Sequence, residues 1–195
     1  MPSIRFHCAA VALLFASATG LAGSAAAQTN VPLAHFTNVE LRGGGHVTLH
    51  HGAQQRVLIL KGSTQFTRLA IDTNDKLVID TCNEECPQSY SLEIDITSPD
   101  VDAASIEGGG KIDAQGAFPQ VANLSAAIEG GGAIDVHAMT AQSANAAISG
   151  GGDIKLTVKD SLTAAVNGGG KITYWGNPSV RSAVNGGGDI RKGSN

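Results

Sequence analysis

Apolar and polar residues alternate along most of the chain after residue 35. Between residues 36 and 97 the alternating runs are short, as in Phe36-Thr-Asn-Val-Glu-Leu41, and turn-forming pairs such as His51-Gly52 and Asn74-Asp75 separate them. A period of two is typical of β-strands, and these segments lack the three-to-four spacing of an amphipathic helix. The pattern therefore predicts an all-β protein.

A Gly-Gly-Gly triplet recurs six times, and each triplet has an aliphatic residue two positions before it and another two positions after it. The framing pairs are Leu41/Val47, Ile106/Ile112, Ile128/Ile134, Ile148/Ile154, Val166/Ile172 and Val184/Ile190. The last five triplets are 22, 20, 18 and 18 residues apart. Repeats of about 20 residues are typical of solenoids, in which each coil buries its apolar edge against its neighbours.

We therefore predict a single-stranded, right-handed parallel β-helix (β-solenoid) with glycine-triplet repeats of about 18–22 residues. The first two triplets lie 65 residues apart, about three coils of the same size, so the predicted solenoid has about eight coils and is roughly 38 Å long. Two roles for the triplets stay open. Glycine at a corner supplies a positive φ, whereas glycine within a strand lets another backbone come close.

Aligning the coils at their triplets places charged residues in columns. Lys171 is expected between Asp153 and Asp189, and Lys155 beside Asp135, in pairs that mainly fix the register. Glu107 over Glu129, continued by Asp113 over Asp135, predicts an acidic strip on one outer face. Stacked carboxylates bind a cation or raise one another's pKa. Because these columns change to Ser, Asn, Lys and Thr in later coils, a solvated face is favoured over a calcium site.

The first 27 residues have the features of a cleaved secretory signal: Arg5, an apolar run over residues 8–21, and three alanines at 25–27. The run is shorter than the roughly 20 strongly apolar residues of a membrane-spanning helix. We expect a flexible segment at 28–35 and one solenoid domain at 36–191. Its coils are less regular at 36–100 and regular at 101–191, and 192–195 form a tail. The expected location is the periplasm, or the secreted or cell-surface fraction, of a bacterium.

The charge of the chain argues against nucleic acid as a partner. Removing residues 1–27 takes away one of 13 basic residues and none of the 17 acids, so the net charge becomes 12 − 17 = −5. A mildly acidic chain without basic runs lacks the electrostatic footprint of a nucleic-acid-binding protein. Nothing after residue 28 resembles a membrane span.

Cys82 and Cys86 are the sharpest local feature. Cys8 leaves with the signal, so an even pair remains in a compartment that permits oxidation, and we predict a disulfide that closes a small turn. A zinc site would need two further ligands, and redox catalysis normally uses two intervening residues rather than three. Both remain as alternatives.

His46, His50 and His51 raise the question of a metal. His46 and His50 share a strand face but lie about 13 Å apart, too far to share an ion without ligands from another coil. His50-His51-Gly52 is more simply a solvent-exposed turn. We predict neither a metal site nor a cofactor.

Tyr174 and Trp175 are adjacent in a strand, so they point to opposite faces. Tyr174 falls in the apolar column of Ala114, Val136 and Leu156, and we expect it to pack inward. Trp175 is expected outward, where its ring is suited to stack on a sugar or meet a partner protein. The alternative is that both rings only fill the wider end of the last coils.

Residues 91–112 carry a resemblance to a known family. They read Ser91-Leu-Glu-Ile-Asp-Ile-Thr-Ser-Pro-Asp-Val-Asp-Ala-Ala-Ser-Ile-Glu-Gly-Gly-Gly-Lys-Ile112. This order of strand, proline, strand and glycine triplet resembles the bacterial envelope domain called the putative auto-transporter adhesin head GIN domain. The resemblance covers about residues 34–191. It implies an exported β-solenoid and supplies no catalytic residues.

We therefore expect an exported, non-enzymatic envelope protein, adhesin-like or a scaffold, that binds an unknown envelope protein or glycan through a lateral surface. The candidate surface residues are Tyr174, Trp175, Glu107, Glu129, Asp113 and Asp135. The alternatives are a polysaccharide-active β-helix enzyme, for which 18-residue coils leave little loop length, and a cation-binding protein. Because only Arg191 and Lys192 protect the last coil against edge pairing, end-to-end homo-oligomers are a further expectation.

Overall fold

The structure is a computed structural model that describes residues 28–83 and 85–194. These residues form fifteen β-strands and no helix. The strands are β1 (Thr29–Asn30), β2 (Asn38–Gly43), β3 (His46–His51), β4 (Arg56–Lys61), β5 (Thr67–Ile71), β6 (Lys76–Thr81), β7 (Glu93–Ser98), β8 (Ala103–Gly108), β9 (Lys111–Ala114), β10 (Val121–Gly130), β11 (Ala133–Gly150), β12 (Asp153–Gly168), β13 (Lys171–Gly176), β14 (Ser179–Asn185) and β15 (Asp189–Lys192). The predicted signal at 1–27 lies outside the described residues.

The strands stack in two ladders that meet at the glycine triplets. The first ladder holds the strand segments that precede the triplets, together with β5 and β6, in the order β5-β6-β2-β8-β10-β11-β12-β14. The second ladder holds the segments that follow the triplets, together with β1, β4 and β7, in the order β1-β4-β7-β3-β9-β11-β12-β13-β15. β11 and β12 belong to both ladders, because each leaves one triplet and runs on to the next.

From β8 onward the chain winds as a β-solenoid of about four turns, as the repeat predicts. Ala103, Ser125, Asn145, Thr163 and Arg181 occupy the same position in successive coils. The aliphatic residues that frame the triplets are stacked in register, Ile106 on Ile128 and Ile112 on Ile134. These four isoleucines are at most 1% exposed. Before the last coil, the framing residues therefore lie in the core, and the expected parallel stacking is confirmed.

The prediction of about eight coils wound in sequence order is wrong for residues 36–98. β2 and β3 form the layer next to β8 and β9, but the layer beyond it is β6 and β7, and β4 and β5 lie further out. The cause is a hairpin. Asp72 Oδ1 accepts hydrogen bonds from the N–H groups of Asn74 and Lys76, and Asp75 has a φ of 51°, so β5 returns antiparallel to β6.

This N-terminal end of the stack is closed by reversed strands. β4 runs antiparallel to β7, and β5 runs antiparallel to β6. The segment 28–35, for which we predicted flexibility, contributes β1, which pairs antiparallel with β4 at Thr29↔Ile59. Val31 and Leu33 in this segment pack against the core. Because Val31 and Leu33 bury apolar surface there, the segment lies against the solenoid.

A disulfide joins Cys82 and Cys86, as predicted, with the Cα atoms 5.7 Å apart. It lies in the loop between β6 and β7, where the neighbouring layers have a glycine triplet. Tyr90 follows in the same loop, and its hydroxyl makes a 2.6 Å hydrogen bond with Thr67 Oγ1. The loop is therefore fixed at both ends.

The triplet at 150–152 shows that the two roles considered for glycine coexist. Gly150 has a φ of +132°, and a Cβ there would lie 2.2 Å from the carbonyl oxygen of Gly130 in the preceding coil. A Cβ at Gly152 would lie 2.7 Å from Ile128 Cγ2, whereas one at Gly151 would meet nothing within 4 Å. The first glycine is a corner under close contact, the third faces the core, and the second faces open space.

The other end of the stack is open in the described residues. Every residue of β14 is exposed, and Val180 and Val184 are 38% and 47% exposed. Their counterparts in the preceding coil, Leu162 and Val166, are buried. The apolar interior thus reaches the surface at β14.

Candidate binding surface

The outward side chains of the second ladder form two adjacent columns, which we call the lateral face. They face outward because strand alternation sends Val47, Ile112 and their equivalents inward. The first column is Glu93, His46, Lys111, Ala133, Asp153, Lys171 and Asp189; the second is Asp95, Thr48, Asp113, Asp135, Lys155, Thr173 and Arg191. Carboxylates predominate toward the closed end and cations toward the open end.

The carboxylates near the closed end of the lateral face each have a cationic or histidine partner. Asp113 Oδ2 lies 2.7 Å from His46 Nε2 and 2.6 Å from Lys111 Nζ. Asp95 Oδ2 lies 3.0 Å from His50 Nε2. His50, which we predicted to lie in a solvent-exposed turn, is instead part of β3 and is paired with an acid on the neighbouring strand β7.

Asp135 is the midpoint of the face. Its carboxylate lies 2.5 Å from His137 Nδ1 and 3.1 Å from Lys155 Nζ, which confirms the predicted pairing with Lys155. Partial burial acts to raise the pKa of Asp135, but the hydrogen bonds from His137 and Lys155 outweigh it and hold that pKa below its usual value. The same hydrogen bond raises the pKa of Lys155. Both groups are ionised at neutral pH.

The four carboxylates expected in one acidic strip form two separate pairs. Glu107 and Glu129 are neighbours on the first ladder, and Asp113 and Asp135 are neighbours on the second. The triplet corner lies between the two pairs. Glu107 also has Arg42 Nε at 3.4 Å. Within residues 28–83 and 85–194, no group of three or more His, Cys, Asp or Glu side chains is arranged to hold a metal ion.

An ion cluster on the first ladder has no counterpart in the sequence pattern. Glu40 is only 5% exposed; Arg42 Nε donates to its carboxylate at 2.5 Å, and Lys76 Nζ donates to its other oxygen. Burial acts to raise the pKa of Glu40, but the bonds from Lys76 and Arg42 outweigh it and lower that pKa below its ordinary value. Lys76 is 36 residues away in the chain. Only the out-of-order pairing of β2 with β6 brings them together.

A cleft opens at the cationic end of the lateral face. It has a volume of about 580 Å³, and its lining residues are Lys155, Lys171, Thr173, Trp175, Arg191, Lys192, Gly193 and Ser194. Trp175 faces outward, with its ring centroid 5.6 Å from that of His137, and its Nε1 donates to the Ser194 carbonyl at 3.4 Å. Tyr174 packs against the core. Both rings point as strand alternation predicts, and Trp175 becomes part of the cleft.

Comparison with known proteins gives one family and several similar structures. The sequence model of the family described as "Putative auto-transporter adhesin, head GIN domain" matches residues 35–121 and 118–178. No curated protein matches the chain. Within the described residues, no helix has the length and apolarity to cross a membrane.

The solved structures similar to this chain include a putative adhesin from Bacteroides fragilis, with 18% identity and a TM-score of 0.49 over 85% of this chain and 96% of that one. A putative cell adhesion protein from Clostridium sporogenes has 11% identity and a TM-score of 0.42 over 85% and 97%. A putative lipid binding protein from Parabacteroides distasonis has 13% identity and a TM-score of 0.36 over 86% and 96%.

Proposed function

Because this chain belongs to the family described as putative auto-transporter adhesin, head GIN domain, we propose that it is an exported, non-enzymatic binding protein of the bacterial envelope. It acts as an adhesin-like or scaffold protein, and its partner is an envelope protein or glycan that contacts the lateral face. Residues 1–27 are the signal that exports it, and residues 36–191 form the single binding domain. The protein then works in the periplasm or at the cell surface.

One observation carries this proposal: the lateral face holds charged side chains in fixed order on a rigid backbone. Asp113, Asp135 and Lys155 stand on successive strands in register. The stacked isoleucines beneath them are buried, so the side chains cannot change their spacing without disrupting the core. A preorganised row of this kind loses little conformational freedom when it binds a partner.

The contents of the cleft favour binding over the two alternatives. Glycoside hydrolysis uses a pair of carboxylic residues, and the cleft is lined by cations without a carboxylate among the described residues. A cation site would need carboxylates that are free to coordinate. Of the carboxylates predicted to form the acidic strip, the two on the lateral face, Asp113 and Asp135, each have a basic partner within 3.0 Å.

Binding of the purified full chain to whole cells, envelope fractions and glycan arrays tests the proposal. Thr157 and Thr163 offer a matched pair, because both point outward from β12. Thr157 lies beside the lateral face, two residues after Lys155 and in register with Trp175, whereas Thr163 lies on the first ladder. We expect Thr157→Glu to weaken saturable binding about tenfold, the equivalent of about 1.4 kcal/mol, and Thr163→Glu to leave it unchanged. Absence of binding to every fraction, equal loss in both variants, or turnover of a polysaccharide would refute it.

The open end supports a second property, self-association with a second copy. Val180 and Val184 are placed symmetrically about Ser182, so antiparallel pairing of β14 with its copy sets Val180 of one chain opposite Val184 of the other. The closed end of the same stack is already covered by antiparallel strands. We expect sedimentation velocity to show a dimer. Val184→Lys should dissociate this dimer, whereas Ala183→Lys, at a position that points outward, should preserve it. A monomer at all concentrations would eliminate the dimer.

A further inference from the structure

We propose that the cleft around Trp175 is a binding site for an anionic saccharide, a sugar ring that carries a carboxylate or phosphate group. This inference rests on the proposed function, because it names the class of ligand that the lateral face takes. The cleft has a volume of about 580 Å³, within the range of small-ligand clefts, about 300–1,000 Å³. Its lining is cationic, whereas the protein as a whole has a net charge of −4.

The cations surround one nearly buried hydroxyl residue. Thr173 is 8% exposed and is one of the residues that line the cleft. On either side of it in the ladder stand Lys155 and Arg191, one strand away in each direction. Along β13, Lys171 and Trp175 stand two residues before and after Thr173. Three cationic residues and one tryptophan therefore occupy the four positions that surround Thr173 on the outward face of the ladder.

Part of this positive charge is not neutralised within the protein. Among the described residues, Lys155 pairs with Asp135 and Arg191 with Asp189, the latter at 3.5 Å. Lys171 lies in register between Asp153 and Asp189, as the alignment of the coils predicts, but it makes no ion pair with either among the described residues. Lys192 makes no ion pair in that part of the chain, and its Nζ has only the amide oxygen of Asn177 at 3.4 Å. Two ammonium groups are thus available for an anionic oxygen, and a guanidinium beside them suits a planar carboxylate or a phosphate.

Trp175 is held in place as a platform. A Cβ at Gly193 would lie 2.4–2.7 Å from three atoms of the indole, so the ring rests directly on the backbone of the next coil. His137 and the Ser194 carbonyl hold it on other sides. A pyranose has an apolar face of C–H groups that packs on an indole, while its hydroxyls bond to Thr173 and the Ser194 backbone. A free inorganic anion would leave this ring unused.

The single tryptophan of the chain makes a direct test possible, because all its indole fluorescence comes from this cleft. The full chain is titrated with a galacturonate oligosaccharide, a hexose 6-phosphate, a neutral hexose oligosaccharide of the same length, and inorganic phosphate. We expect the first or second probe to shift the emission saturably and the last two to bind at least about tenfold more weakly. Comparison of the first two probes also shows whether the cleft prefers a carboxylate or a phosphate group. Raising NaCl from about 0.05 to about 0.5 M should weaken the charged complex severalfold.

Two variants with a matched control identify the residues. Lys171→Gln and Arg191→Gln should each weaken binding about tenfold, because each removes a charge-assisted hydrogen bond. Arg181→Gln removes the same charge from the last coil but on the first ladder, and it should have no effect. If no anionic saccharide shifts the emission, or if Arg181→Gln weakens binding as much as Lys171→Gln, the cleft assignment is overturned.

The two proposals fail in different ways. A chain that binds envelope fractions through the lateral face but ignores every anionic saccharide retains the proposed function and loses the cleft assignment. A chain that binds no envelope fraction loses the proposed function, whatever the titrations show. Calorimetry of Trp175→Ala, which has no indole signal, completes the set, with an expected loss of binding while the circular dichroism spectrum stays unchanged.

Discussion

The three glycines of one triplet should respond very differently to the same added methyl group. Gly150→Ala, Gly151→Ala and Gly152→Ala each add one Cβ at adjacent positions of a single corner. At Gly150 the methyl meets the Gly130 carbonyl oxygen at 2.2 Å in a left-handed backbone conformation; at Gly151 it meets nothing within 4 Å. At Gly152 it meets Ile128 Cγ2 at 2.7 Å without a left-handed φ. The series therefore separates backbone strain from crowding.

The expected changes in free energy of unfolding follow from these contacts. For Gly150→Ala, strain at positive φ costs about 1–3 kcal/mol and forcing the coils apart costs about 1–3 kcal/mol, for a net loss of roughly 2–5 kcal/mol. Gly152→Ala carries only the crowding cost, about 1–3 kcal/mol. Gly151→Ala should stabilise the protein by about 0.4–1 kcal/mol, because alanine restricts the unfolded chain.

Urea denaturation followed by circular dichroism measures these differences, and fluorescence of Trp175 provides a second probe on β13. Coincident curves from the two probes show that the coils unfold together, and the shift in midpoint at constant slope then gives the change in stability. Equal losses for Gly150→Ala and Gly151→Ala, or the largest loss for Gly151→Ala, would refute the assignment of the three positions.

Three further predictions concern other parts of the molecule. Because the folded pKa of Glu40 is lowered, its contribution is present above the ordinary carboxyl pKa of 4.5 and is lost as the pH falls through the folded value. Glu40→Gln should thus cost about 1–3 kcal/mol at pH 7 and progressively less below pH 4.5, measured by urea denaturation across pH; a cost independent of pH would contradict this. Replacing Cys82 and Cys86 together by serine should lower stability by about 2 kcal/mol, the chain-entropy value for so short a loop, and reductant should have no further effect on that variant. Gly193→Ala should displace the indole of Trp175 and shift its emission without changing the circular dichroism spectrum, whereas Gly187→Ala, with open space around its Cβ, should leave the emission unchanged.

The sequence predicted the parts of the fold that repeat. Ile106 and Ile128 stand at equal distances from their triplets, and so their stacking follows from alignment of the coils alone. The pairing of Lys155 with Asp135 follows from the same alignment. The Cys82–Cys86 bridge follows from short spacing and an oxidising compartment.

The parts that do not repeat escaped prediction for a physical reason. Alternation identifies a strand, but it carries no information about which strand lies beside it. Nothing in the local sequence near Glu40 indicates that Lys76 is its partner, because the pairing depends on the hairpin at Asp72. The cleft likewise depends on how Trp175 lies over Gly193, which is a matter of side-chain packing between coils.

Because of the reversed strands β4 and β5, the two ends of the stack depend on different kinds of contact. β7 lies between β3 and β4, so the described residues up to Ser98 must close on themselves through contacts distant in sequence. Every coil after β8 needs only the coil made just before it. We therefore expect the N-terminal portion to form a base on which each later coil adds to the coil before it. Insertion or deletion of a whole 18-residue coil after β8 should therefore lengthen or shorten the stack and leave the N-terminal portion intact.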